Sequence, residues 1–294
     1  MSLHTTQYLT GSALKFLLAA ALGIFLSACT PSHSNENNQM DSYRFPYDLE
    51  NPSQKLKLPA ELREISGLAW LREERLAAVQ DEDGIIYTID FKHGEVTQRM
   101  EFGGEGDYEG ITRIGESLWV LRSDGNLFEV VPEGEARMQE TSLDERYNVE
   151  GLAWDEEAGQ LLLACKEFPG EGEELEGKRT CFAFDPASKR FNEQPYLTLD
   201  LGEISEVAGD DGELGRVFQP SGLAVHPETG HIYLISSVGK KLVVYARDGK
   251  LLHVASLKHK HFKQPEGICF APDGRMYIAN EGGGKGRIVR FDPQ

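Results

Sequence analysis

Five times along this 294-residue chain a serine or glutamate is followed by glycine and then by leucine or isoleucine. The copies are "REISGLAW" (63–70), "GDYEGITR" (106–113), "YNVEGLAW" (147–154), "FQPSGLAV" (218–225) and "KQPEGICF" (263–270). Their glycines fall at 67, 110, 151, 222 and 267, so the intervals are 43, 41, 71 and 45 residues. Glycine weakens a strand, so its return at one place in every unit calls for a geometric cause. A period near 40–45 residues, with several short apolar strands per unit, is the signature of propeller blades. Each motif leads into a second apolar strand such as "RLAAVQ" or "RMYIAN" and a third such as "IIYTID" or "RIVRFD". Asp-Gly pairs at 83–84, 124–125, 248–249 and 273–274 supply hairpin turns.

The fold predicted is all-β, a single five-bladed β-propeller over residues 45–294, with no amphipathic helix in it. The 71-residue interval reads as one blade carrying two insertions, "FPGEGEELEGKR" and "LGEISEVAGDDGELGRVF"; a sixth blade hidden there is the alternative. The last unit ends after its third strand, and an unassigned candidate strand, "SQKLKLP" (53–59), precedes the first unit. Pairing that strand onto the last blade would close the ring without an unfinished edge.

Ahead of the repeats, Lys15 and an apolar run at 16–26 read as a signal segment, too short to span a bilayer comfortably. The run ends in Leu26-Ser27-Ala28-Cys29, which resembles the bacterial lipobox. That resemblance implies a signal peptide at 1–28, a lipid on Cys29 and, with Thr30 following, a bacterial outer-membrane lipoprotein. The propeller would then stand in the periplasm or at the cell surface. The polar stretch 29–44 reads as the lipidated cysteine and a flexible tether. With 48 acidic against 30 basic side chains the formal charge is −18, which excludes nucleic-acid backbones and anionic lipid surfaces as electrostatic partners. A monomer is expected. In an oxidising compartment Cys165 and Cys181 are candidates for a bridge, a pairing the sequence leaves open.

Side chains alternate along a strand, so the Ser/Glu position shares a face with the Leu/Ile two residues on, and Gly occupies the other. A small residue there lets the neighbouring blade approach. Because the innermost strand of each blade lines the channel, Ser66, Glu109, Glu150, Ser221 and Glu266 are expected to form a ring of oxygens at one level. Three converging carboxylates repel unless a positive charge intervenes. Calcium, which takes six to eight oxygens from carboxylate and neutral donors, suits such a ring better than magnesium's strict octahedron. Lys166 could neutralise it instead, or the glutamates could simply cap strands around a water-filled channel.

The repeated motif, the signal sequence and the length together resemble the bacterial SdiA-regulated β-propeller family over essentially the whole mature domain. The ring order Ser, Glu, Glu, Ser, Glu is also similar to that of the calcium-activated nucleotidases, five-bladed apyrases, and implies a channel calcium on the same five residues. Their wider set of phosphate-contacting residues has no match here, so the resemblance does not extend to nucleotidase activity.

The connections between second and third strands open on the ring's face and offer Gln80, Asp81, Arg122, Asp124, Lys166, Glu167, Asn280 and Glu281 as candidate ligand contacts. Taken singly, each reads first as a turn residue or a solvated loop charge. Arg122 and Lys166 could meet an anionic group, with the cation as Lewis acid or template. Other signals are weak: "EGGGKGR" (281–287) lacks phosphate-loop spacing and leads into a strand, and no Gly-x-Ser-x-Gly elbow occurs. Two functions remain: a membrane-anchored, calcium-containing module that binds a small molecule or protein on its funnel face, or a calcium-dependent hydrolase of phosphate or ester bonds.

Overall fold

The computed structural model describes residues 43–209, 218–282 and 284–294; the expected signal segment, Cys29 and nearly all of the tether lie outside them. Twenty strands form five four-stranded antiparallel sheets. β1 (Gln54–Lys57) comes first and is set aside for the closure. Blade I is β2 (Ile65–Arg72), β3 (Arg75–Gln80), β4 (Asp83–Asp90) and β5 (Glu95–Glu105). Blade II is β6 (Tyr108–Ile114), β7 (Ser117–Arg122), β8 (Leu127–Val130) and β9 (Ala136–Gln139). Blade III is β10 (Val149–Asp155), β11 (Gln160–Cys165), β12 (Lys178–Asp185) and β13 (Arg190–Asp200). Blade IV is β14 (Pro220–Val225), β15 (Ile232–Ser236), β16 (Lys241–Tyr245) and β17 (Leu251–Ser256). Blade V has β18 (Gln264–Phe270), β19 (Met276–Glu281) and β20 (Arg287–Phe291), with β1 as its outer strand.

The closure is the one expected. Leu56 lies opposite Ile288 and Lys57 opposite Arg287. The bond from the Leu58 amide to the Gly286 carbonyl, 2.9 Å, continues the pairing past the strand's end. The long interval holds one blade, and its insertions follow β11 and β13.

Hydrophobic side chains gather in the seams between blades. Ala77, Val79 and Ile86 of blade I meet Ile111 and Val120 of blade II. Ile65, Leu76 and Tyr87 on the other face of blade I meet Tyr277, Ala279 and Ile288 of blade V. Each sheet is thus apolar on both faces, which is why the inner strands read as nearly continuous apolar runs. Burying each Leu, Ile, Val or Phe is worth about 1.5–3 kcal/mol, spread over five seams.

Two sequence expectations need correction or completion. A helix does occur: α1 (Leu201–Ala208) in the second insertion, capped by the Asp200 carboxylate, which accepts from the Gly202 and Glu203 amides at 2.8 and 3.1 Å. Only Leu201, Ile204 and Ser205 of it are buried, too short an apolar stripe to stand out among strand patterns. The cysteine question is answered: Cys165 and Cys181 are free thiols. Cys165 points into the seam between blades II and III and Cys181 into that between III and IV, so the sheet itself separates them.

The described chain begins with a strap that wedges between blades IV and V. Tyr47 is buried there, its hydroxyl donating to the Gly274 carbonyl at 2.6 Å and lying 3.0 Å from the His226 ring. Phe45 stacks on His253 with ring centroids 4.5 Å apart.

Candidate functional site: a layered axial channel

The five motif glycines carry the inner ring. A β-carbon on Gly110 would lie 2.7 Å from Leu152 Cβ of the next blade, and one on Gly151 would lie 2.8 Å from Leu223 Cβ. At Gly222 it would sit 2.2 Å from the Glu266 carbonyl oxygen, and at Gly267 2.8 Å from that of Ser66. Each glycine therefore admits the following blade's motif strand, and the last admits the first.

A second device was not visible in the sequence. In every blade the pairing of the first and second strands slips by one residue at the motif. Tyr108 lies opposite Arg122 and Gly110 opposite Leu121, leaving Glu109 as the extra residue. Glu150 is skipped likewise between Val149 and Gly151, and Ser221 between Pro220 and Gly222. Blades I and V slip between Ile65 and Leu68 and between Pro265 and Ile268. A bulge re-aims the unpaired side chain. The bulge recurs in all five blades, and at Glu109, Glu150 and Glu266 it brings the carboxylate to the axial channel.

The two serines act as latches. Ser66 Oγ donates to the Tyr108 carbonyl and Ser221 Oγ to the Pro265 carbonyl, both at 2.6 Å. In each case the acceptor is the residue just before the next blade's glutamate. Ser221 Oγ also accepts from the Ser237 amide at 3.1 Å.

Glu109, Glu150 and Glu266 converge. Burial raises the Glu109 carboxyl well above its usual range, and the charges of Glu150, Asp107 and Glu266 add to the effect. Glu266 is pushed up to about 8 by burial first and Glu150 second, against a hydrogen bond from Ser237. Glu150 is raised to about 7 by burial, although Lys166 pairs with it directly. Burial works against the Lys166 ammonium, but the three carboxylates outweigh it. The ring thus holds three acids and one base in a poorly hydrated place.

The other expected contacts divide. Arg122 and Asp124 pair with each other at 2.7 Å across their own turn. Gln80 Oε1 accepts from the Glu82 amide at 3.0 Å, and the Asn280 amide group donates to the Ile278 carbonyl at 3.3 Å. Glu167 lies on the exposed rim, 3.4 Å from Asn148 Nδ2. Asp81 and Glu281 come together between blades I and V with Glu64 nearby, each carboxyl raised by burial and then by the other acids. Asp107 and Ser237 were missed. Asp107 stands two residues before Glu109, just ahead of β6, and hydrogen-bonds to it, so its closeness in sequence was a signal.

Below the acids, Leu68, Ile111, Leu152, Leu223 and Ile268 form a second layer. Only about 10 Å³ of space remains around these two layers. Two residues further along each strand stand Trp70, Arg113, Trp154, Val225 and Phe270, around a cavity of about 370 Å³ that reaches the first-to-second strand turns. The channel is a polar mouth, an aliphatic septum and an aromatic vestibule.

Such a layered five-bladed propeller defines a class of scaffold built around an axial site. Within that class the chain belongs to the SdiA-regulated family, whose model matches residues 46–283. No curated protein matches it. Among solved structures it is similar to the glutaminyl cyclase of Myxococcus xanthus, with a TM-score of 0.56, 15% identity, and coverage of 83% of this chain and 97% of that one. It is similar to a luciferin-regenerating enzyme at 0.50 and 13%, covering 82% and 95%. A streptogramin B lyase matches at 0.43 and 13%, covering 78% of this chain and 65% of the lyase. At these identities the first two likenesses concern the fold alone.

Proposed function

We propose that this protein is a membrane-anchored, extracytoplasmic propeller that binds calcium at the polar mouth of its channel and presents that face to a ligand or partner. The observation that supports it is the convergence of Glu109, Glu150 and Glu266, raised by burial and by one another, on one level of the axis. A site that gathers three acids against a single lysine attracts a dication. The donor set, all oxygen and mostly carboxylate, fits a hard ion of calcium's kind. As they stand, no three or more His, Cys, Asp or Glu side chains among the described residues are gathered closely enough to hold a metal directly. An ion held there would need water between itself and some of the ring oxygens, which calcium's coordination allows. Bound there, the ion would supply charge compensation. Glu109, Glu150 and Glu266 would hold it, the serine latches would fix the strands that carry the glutamates, and Lys166 would withdraw from Glu150.

The lipid anchor follows from the lipobox resemblance around Cys29, outside the described residues. Among the described residues no helix is long and apolar enough to cross a membrane. A binding role is preferred to hydrolysis because the two cations expected to meet an anionic substrate are engaged, Arg122 with Asp124 and Lys166 with Glu150.

The test is metal analysis of protein purified without chelator, with thermal melts in chelator and in calcium. The expected result is about one calcium per chain and a higher melting temperature on its addition, both lost in Glu150→Gln. Metal-free protein with a melt indifferent to calcium would refute the reading. Chelator-sensitive turnover of a phosphomonoester or lactone would instead assign the ion to catalysis.

A further inference from the structure

We propose that the strap is a proton-sensitive clasp: residues 43–52 stay wedged between blades IV and V while His226 is neutral, and let go when it takes up a proton, leaving the ring of blades shut. This goes beyond the calcium site and does not depend on it.

Four of the chain's eight histidines stand against the strap. His226 meets Tyr47, His231 meets Tyr43 edge-on with centroids 5.4 Å apart, and His253 stacks on Phe45. His261 Nε2 donates to the Glu50 carbonyl at 3.0 Å, a bond the ring keeps when charged.

Hydrogen bonding fixes the state of His226, which is 5% exposed. The Tyr47 hydroxyl gives its single hydrogen to the Gly274 carbonyl, so it accepts from His226 Nε2 at 3.0 Å. Nδ1 is then the bare nitrogen, and it accepts from the Glu228 and Thr229 amides at 3.3 and 3.4 Å. Those bonds close the turn after β14, which reaches left-handed Gly230 four residues on. Turns at Asp90, Asp155 and Asp185 share the plan, reaching left-handed Gly94, Gly159 and Lys189. In them a carboxylate oxygen accepts the amides, at 2.9–3.2 Å. Asp155 is the blade III counterpart of His226, at the same remove from its motif glycine. Of these four turns, the one under the strap is closed by a group that mild acid turns from acceptor into donor. A proton on Nδ1 sets an N–H against two amide N–H groups, so the ring must leave the turn, and Tyr47 loses its seat.

The surrounding charges do not retain that proton. Burial holds His226 below the usual histidine value, against the exposed Glu228 carboxylate and with the His231 ring. His231 is lowered by burial and then by Arg247, and His253 by burial. Across from them Tyr43, Tyr47 and Tyr233 keep their protons, burial raising each. Asp273 of the blade V turn is engaged with Arg275 at 2.8 Å. A base lowered in the docked state contributes full stability above its free value, about 6.5, and loses it as pH falls below that. Each such ring weakens docking by up to about tenfold per pH unit. The strap is also tied by the Gln294 amide, which donates to the Pro46 carbonyl at 2.9 Å, and by exposed pairs of Glu50 with Lys258 and Lys260, which are worth little. β1 holds by its own pairing with β20, so release frees up to about 35 Å of extended chain and leaves blade V complete.

The ring acids titrate with the opposite sign, so the test needs a local probe rather than a melt. Hydroxyl-radical footprinting of the full-length chain in chelator, from about pH 7.5 to about pH 5.5, spans the free histidine value. Oxidation of Tyr47, 5% exposed when docked, should rise about tenfold. Tyr108, 2% exposed in the seam between blades I and II, should stay protected. His226→Asn keeps an acceptor for the two amides and cannot titrate, so its Tyr47 should stay protected at the acid end. If that variant fails to fold or is released throughout, His226→Asp, with the carboxylate of the blade III turn, is read in its place. Wild-type Tyr47 that stays protected across the range would overturn the proposal. So would Tyr47 and Tyr108 becoming exposed together, or wild type and variant releasing at the same pH. Failure of the calcium test leaves these outcomes unaffected, because they are read in chelator.

Discussion

At the residue scale, the dipeptide repeated five times resolves into two unlike jobs. The glycine is a clearance, and it admits no substitute. Gly222→Ala would place a methyl group 2.2 Å from the Glu266 carbonyl oxygen, so blades IV and V must separate locally. A loss of about 3 kcal/mol is expected in a chemical denaturation midpoint, at the upper end of ordinary overpacking. The partner residue takes different parts by identity: serine ties neighbouring strands together, and glutamate charges the axis. Among the described residues, Lys166 is the counter-charge paired directly with the ring. Lys166→Met should therefore tighten calcium binding, because the competing ammonium is gone, while lowering the stability of metal-free protein at alkaline pH. Calorimetric titration checks the first effect; weaker calcium binding in the variant would mean that the lysine supports the ion rather than competing with it.

The ring also fixes a pH dependence in metal-free protein. Glu150 and Glu266 rise to about 7 and about 8 from an ordinary 4.5, so the folded chain keeps protons that the unfolded chain gives up. A raised acid contributes full stability below the unfolded value, and that contribution is lost as pH climbs through the folded one. Melting temperature in chelator should fall from about pH 5 to about pH 9, and saturating calcium should flatten the decline. A flat profile in chelator would contradict the convergence of the three acids.

At the element scale, the blades were legible because each strand and turn left a local mark. Asp-Gly turns, apolar runs and the motif repeat at one period, and "SQKLKLP" stood free to complete the last sheet. The bulges left no such mark. A bulge is a property of how two strands pair, and nothing in "NVEGLAW" alone says that Glu150 is skipped. The serine latches escaped for the same reason, since their acceptors lie more than forty residues away: 42 for Ser66 and 44 for Ser221. Helix α1 escaped because eight residues with three buried make a faint pattern. Its cap is a separate, checkable unit: Asp200→Ala should cost about 1 kcal/mol and leave the ring intact, so calcium binding should be unchanged.

At the scale of the whole molecule, the described core is divided among five seams rather than gathered in one place. The closing strand holds a disproportionate share, since it is the place where both ends of the chain meet. Removing residues 43–59 would strip the outer strand from blade V and the strap from the seam between blades IV and V. The expected outcome is loss of the cooperative unfolding transition; a truncated chain that still melts in one sharp step would show that the inner ring holds without its clasp.

That clasp also sets an order of events. β1 pairs with β20 across nearly the full length of the chain, a contact of the kind that forms late and slowly. During synthesis the first four blades can assemble while the fifth is still unmade, exposing seam surfaces that invite wrong partners. Gly267 and Ser66, which approach only when the ring shuts, belong to the last blade and the first. The axial ring therefore closes only when the fifth blade has joined the first, and a dication that binds there would report that closure.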